Sequence, residues 1–145
     1  MQGCDKVYNL KERYSLETQI TNSELNPLQN ISIEIYPGDA PVRYYTYFDR
    51  SDKFFFGIGE NYDLISFTET DVNGEAILHF PVANSGFKNL SIFIYDENEM
   101  YRPLKILANA EDFENKYLSL IGQKIYALDG LVALNITSQL DENVQ

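Results

Sequence analysis

An alternation of apolar and polar residues that recurs along the chain narrows the fold more than any other feature. In NISIEIYPG, Ile31, Ile33 and Ile35 alternate with Ser32 and Glu34 until Pro37-Gly38 stops the run. A period of two sends alternate side chains to opposite faces of an extended strand, so such a segment buries one face and solvates the other. The same pattern returns at Leu16, Thr18 and Ile20, at Ala76, Leu78 and Phe80, and at Leu90, Ile92 and Ile94. VRYYTYF (42–48), FFFGIG (54–59), DLISFTET (63–70) and YRPLKILA (101–108) read as further strands. The last is edge-like, because Pro103 cannot donate a ladder hydrogen bond.

Turn clusters separate these runs: NSELNP, the five-residue DRSDK loop, and DVNG. Short strands with turn signals roughly every 8–12 residues predict an all-β, Ig-like antiparallel sandwich of about 7–9 strands. Toward the C-terminus, AEDFENKYLSLI sets Phe113, Tyr117 and Leu120 at helical spacing and predicts one short helix. Asp129-Gly130 reads as a two-residue hairpin turn. The acidic segments 49–52 and 96–99 read as solvated turns.

A chain of 145 residues is the size of one domain and can close a core without staples. Residues 1–8 read as a flexible leader, 9–138 as one β-sandwich domain and 139–145 as a frayed tail. The formal net charge of −11 opposes nucleic acid, whose affinity comes from Lys and Arg neutralising phosphates, and opposes anionic lipid headgroups likewise. One cysteine, Cys4, allows no internal disulfide. No apolar run is long enough to span a membrane as a helix.

Met1-Gln2-Gly3-Cys4 resembles the tail of a bacterial lipobox, in which small residues precede the cysteine that becomes lipidated. That resemblance implies a lipid anchor at Cys4 on a flexible arm, and with it a bacterial envelope location, at the outer membrane.

Pro27-Leu28 runs into the alternating Ile31, Ile33 and Ile35. Thr70-Asp71-Val72-Asn73-Gly74 forms a Thr-Asp-x-x-Gly turn between two strands. Phe87 leads into Leu90, Ile92 and Ile94. Over residues 14–106 this succession resembles the carboxypeptidase-regulatory-like, transthyretin-like β-sandwich family. The chain departs from it by an aromatic insertion between Tyr36 and Asp63 and by a tail after Ala110. The resemblance implies a structural or binding module rather than an enzyme, in envelope proteins of Bacteroidota-like bacteria.

Candidate sites follow from residue chemistry. Asp71 and Gly74 suit a tight turn, since Gly takes positive φ freely and Asp accepts nearby backbone N–H groups. A weaker alternative is a Ca²⁺ clip from Asp71, Asn73 and Glu75, which have oxygen ligands but lack the rest of a calcium loop. His79, the only histidine, falls on an outward strand position and has no Cys or second His beside it for a metal site. Gly57-Ile58-Gly59 opens like a dinucleotide loop, but Tyr62 stands where the third Gly belongs. The Asn-x-Ser/Thr triplets at Asn30, Asn89 and Asn135 are short enough to arise by chance.

The aromatic insertion is the surface of most interest. Arg43, Tyr45 and Tyr47 share one strand face, and Phe55 follows across the loop. Exposed aromatics anchor proteins or stack on sugars. Pairing inside the sandwich is the plainer use of the same residues. The expectation is a non-enzymatic envelope module, without cofactor, that binds or scaffolds a protein partner. The candidate ligand or partner face is Arg43, Tyr45, Tyr47 and Phe55, and the alternative is a carbohydrate-binding module using its aromatics Tyr45, Tyr47 and Phe55.

Overall fold

Strands form where the alternation is strongest, and they assemble into two antiparallel sheets. The computed structural model describes residues 8–47, 50–58, 63–83, 89–98, 100–109, 113–117 and 129–142. Within these residues the chain is all-β and contains no helix. A three-stranded sheet has β1 (Tyr8–Thr21) between β12 (Val132–Glu142) and β6 (Glu75–Ala83). A five-stranded sheet runs β10 (Phe113–Tyr117), β9 (Leu104–Asn109), β7 (Asn89–Tyr95), β2 (Ser32–Pro37) and β5 (Ser66–Glu69). The strands β3 (Val42–Tyr47) and β4 (Arg50–Ile58) pair as a separate hairpin, and β8 (Tyr101–Arg102) pairs in parallel with β11 (Asp129–Gly130). Among the described residues eight strands thus make the two main sheets, within the expected range.

The predicted inward positions that are described face the core, while the side chain of Phe80 lies outside the described residues. Leu16 and Ile20 of β1 and Ala76 and Leu78 of β6 close over Ile33, Ile35, Ile92, Ile94, Leu104 and Ile106 of the larger sheet. Burying one such side chain is worth about 1.5–3 kcal/mol. Thr18 takes the inward position between Leu16 and Ile20, and its hydroxyl donates to the Leu134 carbonyl at 2.9 Å. Opposite it β12 bulges: Glu17 pairs with Thr137 but Gln19 pairs with Leu134. Asn135, at φ 51°, absorbs the extra residue, a conformation that Asn tolerates better than most. The bulge resets the alternation, so Ala133 and Ile136 both pack on the core.

Four expectations are corrected. Residues 113–117 form a strand against β9 rather than a helix. Phe113 and Tyr117 are four apart, a spacing that serves a period of two as well as one of 3.6, and the free edge of β9 decides between them. Asp129-Gly130 is not a hairpin turn: such a turn needs positive φ at Gly130, and only Gly38 and Gly74 among the described glycines have it. The DRSDK segment is not a loop throughout, since β4 starts at Arg50 and absorbs a register shift opposite Thr46 and Tyr47. Finally, β1 starts at Tyr8 and β12 runs to Glu142, where Glu142 pairs with Glu12, so strand reaches into both segments set aside as leader and tail.

The turn 70–74 carries the chain from the larger sheet to the smaller. Gly74 lies at φ 73°, with space for no side chain: a Cβ there would stand 2.5 Å from the Ile20 carbonyl oxygen and 3.1 Å from the Leu28 nitrogen. Gly38 has nearly the same φ, 72°, and nothing within 4 Å of such a Cβ. Replacing each by Ala separates the two effects. Gly38→Ala should lose about 1–2 kcal/mol in urea unfolding for the left-handed backbone alone. Gly74→Ala should lose roughly 1–3 kcal/mol beyond that, because rigid backbone must shift. Equal losses would show that the end of β1 yields without resistance.

Candidate functional site

The Thr-Asp-x-x-Gly stretch resolves into a structural joint. Asp71 Oδ1 accepts the N–H groups of Asn73 and Glu75, both at 2.9 Å, and the Gly74 N–H donates to the Asp71 carbonyl at 2.9 Å. Thr70, buried, accepts the Ile31 N–H at 3.0 Å and donates to the Leu28 carbonyl at 2.6 Å through one hydroxyl. Its backbone exchanges bonds with Asn30 and Ile31. One side chain therefore satisfies two buried backbone groups on a loop about forty residues upstream.

Beside the turn lies an open groove of about 660 Å³, lined by Glu17, Gln19, Glu69, Asp71, Glu75 and Ile77 among others. Of the weak Ca²⁺ set, Asp71 commits one carboxylate oxygen to the turn and Asn73 donates its N–H there. No group of three His, Cys, Asp or Glu among the described residues could hold a metal ion.

His79 is exposed on β6, opposite Ser15 of β1 in register, and its Nδ1 lies 2.9 Å from the Ser15 Oγ. Direct cross-strand partners meet in this way on a solvated face. The third strand there is β12.

Arg43, Tyr45, Tyr47 and Phe55 all fall in the β3–β4 hairpin. The backbone sets Tyr45 opposite Phe55, Arg43 opposite Gly57 and Tyr47 opposite Arg50. Tyr45 and Phe55 are thus brought together in register, while Tyr47 is displaced by the irregularity after Thr46. The positions of these side chains, like Cys4, lie outside the described residues.

A cluster that the sequence reading missed occupies the far face of the larger sheet. Phe93, Ser91 and Ser32 sit in the polar phase of their strands yet are fully buried. Phe93 stacks on Tyr95 with ring centroids 4.9 Å apart. The Glu34 carboxylate accepts the Tyr36 hydroxyl at 2.7 Å and the Tyr95 hydroxyl at 3.0 Å. Lys105, only 6% exposed, pairs with Asp39. Ser91 Oγ ties down the segment after β2, accepting from the Ala40 N–H at 2.8 Å and donating to the Gly38 carbonyl at 2.7 Å. The available signal was large apolar side chains in both phases of NLSIFIY, Leu90, Ile92 and Ile94 in one and Phe93 and Tyr95 in the other: strands covered on two faces lose clean alternation.

No protein-family model matches the chain, and no curated protein and no solved structure is detectably similar to it. The fold and these sites define a class, an antiparallel β-sandwich with a side hairpin rich in aromatic residues.

Burial and the neighbouring Glu34 carboxylate push the Tyr95 phenol up to about 12 and hold Tyr36 higher still. Both groups keep their protons in the folded state at a pH where the unfolded chain loses them. The stability they contribute is complete below pH 10 and is lost as pH rises through 12. Denaturation measured between these limits should show a steep alkaline decline, and Tyr95→Phe should make it shallower. A second test concerns the joint. Thr70→Val should lose about 2–3 kcal/mol by stranding buried backbone groups, with Thr70→Ser recovering most of it. Full stability of Thr70→Val would mean that water replaces the hydroxyl.

Proposed function

We propose that the protein is a non-enzymatic, lipid-anchored module of the bacterial cell envelope that binds or scaffolds a protein partner through the β3–β4 hairpin. One observation carries the reading: among the described residues β3 and β4 pair with each other and with neither main sheet, although Tyr45 and Phe55 stand opposite each other in register. An aromatic hairpin left out of both sheets suits recognition, since aromatics supply large contact area with few rotatable bonds. The envelope setting draws on the Gly3-Cys4 sequence and on the resemblance to carboxypeptidase-regulatory-like domains. Cys4 precedes β1, which opens at Tyr8, at a place suited to a tether.

Intact mass of the native protein from its host's membranes tests the anchor. The expected result is a chain beginning at Cys4 with the added mass of acyl groups, whereas an unlipidated chain retaining Met1 removes it. Partner capture tests the hairpin. Cross-linking in the native envelope should trap one dominant protein, and Tyr45→Ala with Tyr47→Ala should cut that product by at least about tenfold. Retention on a glycan panel, lost in the same variant, would instead establish the carbohydrate-binding alternative.

A further inference from the structure

Three turns at one end of the sandwich are built alike. Asn22 Oδ1 accepts the N–H groups of Glu24 and Asn26, both at 3.0 Å. Asp71 does the same for Asn73 and Glu75, and Asp96 for Asn98 at 3.0 Å and Met100 at 3.1 Å. Each side chain thus fixes the backbone two and four residues on. The turns share an end because Ser32, which opens β2, pairs with both Glu69 at the end of β5 and Tyr95 at the end of β7. Further bonds tie the first turn to the second and to β11: Ile20 N–H to the Gly74 carbonyl at 2.7 Å, Leu28 N–H to the Ile20 carbonyl at 3.0 Å, and Ser23 N–H to Asp129 Oδ2 at 3.1 Å.

Each turn holds out an apolar side chain: Leu25 is 59% exposed, Val72 70% and Met100 65%. Single exposed apolar residues are ordinary. Here three occupy three hydrogen-bonded turns at one end, while the other large ones among the described residues, Leu64, Phe67 and Ile77, lie on or beside β5 and β6. Leu25 also sits at φ 65°, a conformation that costs a branched side chain energy and that Gly or Asn would take at less cost. Strain retained at an exposed apolar tip points to use. Around the tips stand Glu24, Asp71 and Glu97, all exposed, and the three turns contain no Lys or Arg.

We propose that this end of the sandwich docks a protein whose apolar pocket is rimmed by Lys and Arg, with Leu25, Val72 and Met100 as the anchors. Charge selects that occupant. Anionic headgroups would be repelled by the acidic rim, and so would a second copy of a chain with net charge −11. The surface is distinct from the β3–β4 hairpin, which follows β2 at its far end, beyond the pairing of Pro37 with Leu90. Tyr8, where β1 begins, lies at that far end too, beyond the register break between Asn9 and Arg13. On the anchor reading, the tips therefore point away from the membrane.

Peptides selected from a random displayed library on the full chain supply the probe. The expected binders flank apolar residues with Lys or Arg and weaken between about 50 and 500 mM salt. They should lose at least about tenfold in affinity to Leu25→Asn/Val72→Ser/Met100→Ser, and nothing to Tyr45→Ala/Tyr47→Ala. The triple variant should melt no lower than the parent, since all three side chains are exposed and Asn accepts the φ of Leu25. Binders unaffected by the triple variant, binders without basic residues, or a selection yielding none overturn the proposal. So does sedimentation with phosphatidylcholine vesicles, or self-association, that the triple variant abolishes. A cross-linked product unchanged in Tyr45→Ala/Tyr47→Ala, with peptide binding to the turns intact, would retire the hairpin reading and leave this one standing.

Discussion

The hydroxyl of Thr70 holds together the part of the molecule on which the rest depends. It satisfies the Ile31 N–H and the Leu28 carbonyl at once, at the point where the chain leaves the larger sheet for the smaller. Four residues on, Gly74 brings its backbone against the end of β1, where the Ile20 N–H meets its carbonyl. Asp71 fixes the turn between them. Two sheets that share no strand are thereby kept in one relative position, and the Ile and Leu faces meet. Dispersion and burial supply most of the favourable energy, but slips of two residues keep the same face inward and are poorly distinguished by them. The joint supplies the register.

A second constraint works on the opposite face of the larger sheet. Burying Lys105 removes a cation from water, which is tolerable only beside a carboxylate, and Asp39 from the segment after β2 provides it. Glu34, flanked by two tyrosine hydroxyls, handles the reverse problem. Each charged group brings a partner that is close in space and supplied by another segment or strand. Ser91, small enough to leave room, lets residues 38–40 lie against β7. Both faces of β2 and β7 are consequently covered, unlike an ordinary two-layer sandwich whose outer faces are wet.

The two ends of the sandwich differ in kind. At one, three short turns are closed by their own Asn and Asp side chains, so their tips are fixed by local bonds and not by a partner. At the other, the chain enters at Tyr8 and the β3–β4 hairpin follows β2. Loops placed by a rigid scaffold are where binding residues accumulate, because the scaffold meets the ordering cost beforehand. The net charge of −11 favours basic over acidic surfaces at either end.

Much of this was legible in residue order alone. Ile31, Ile33 and Ile35, or Ala76 and Leu78, declare an inward face because strand geometry converts a period of two directly into sidedness. The Asp71 to Gly74 turn was readable because its bonds and its positive φ are contained in five residues. Local order failed where the competing structures differ only in distant partners. Phe113 and Tyr117 fit a helix or a strand until the edge of β9 is present, and Asp129-Gly130 resembles a hairpin until Tyr101 and Arg102 lie alongside. The burial of Phe93 and Lys105, and the gathering of Leu25, Val72 and Met100 at one end, were equally invisible, since each requires strands far apart in sequence to be neighbours. The sequence by itself determined the strands of clear alternation, their inward faces and the turns closed by their own bonds, because those depend on backbone geometry within a few residues. Only the tertiary structure decided which strands pair, which faces stay wet and which side chains share a surface, because those energies arise between segments that the chain order does not bring together.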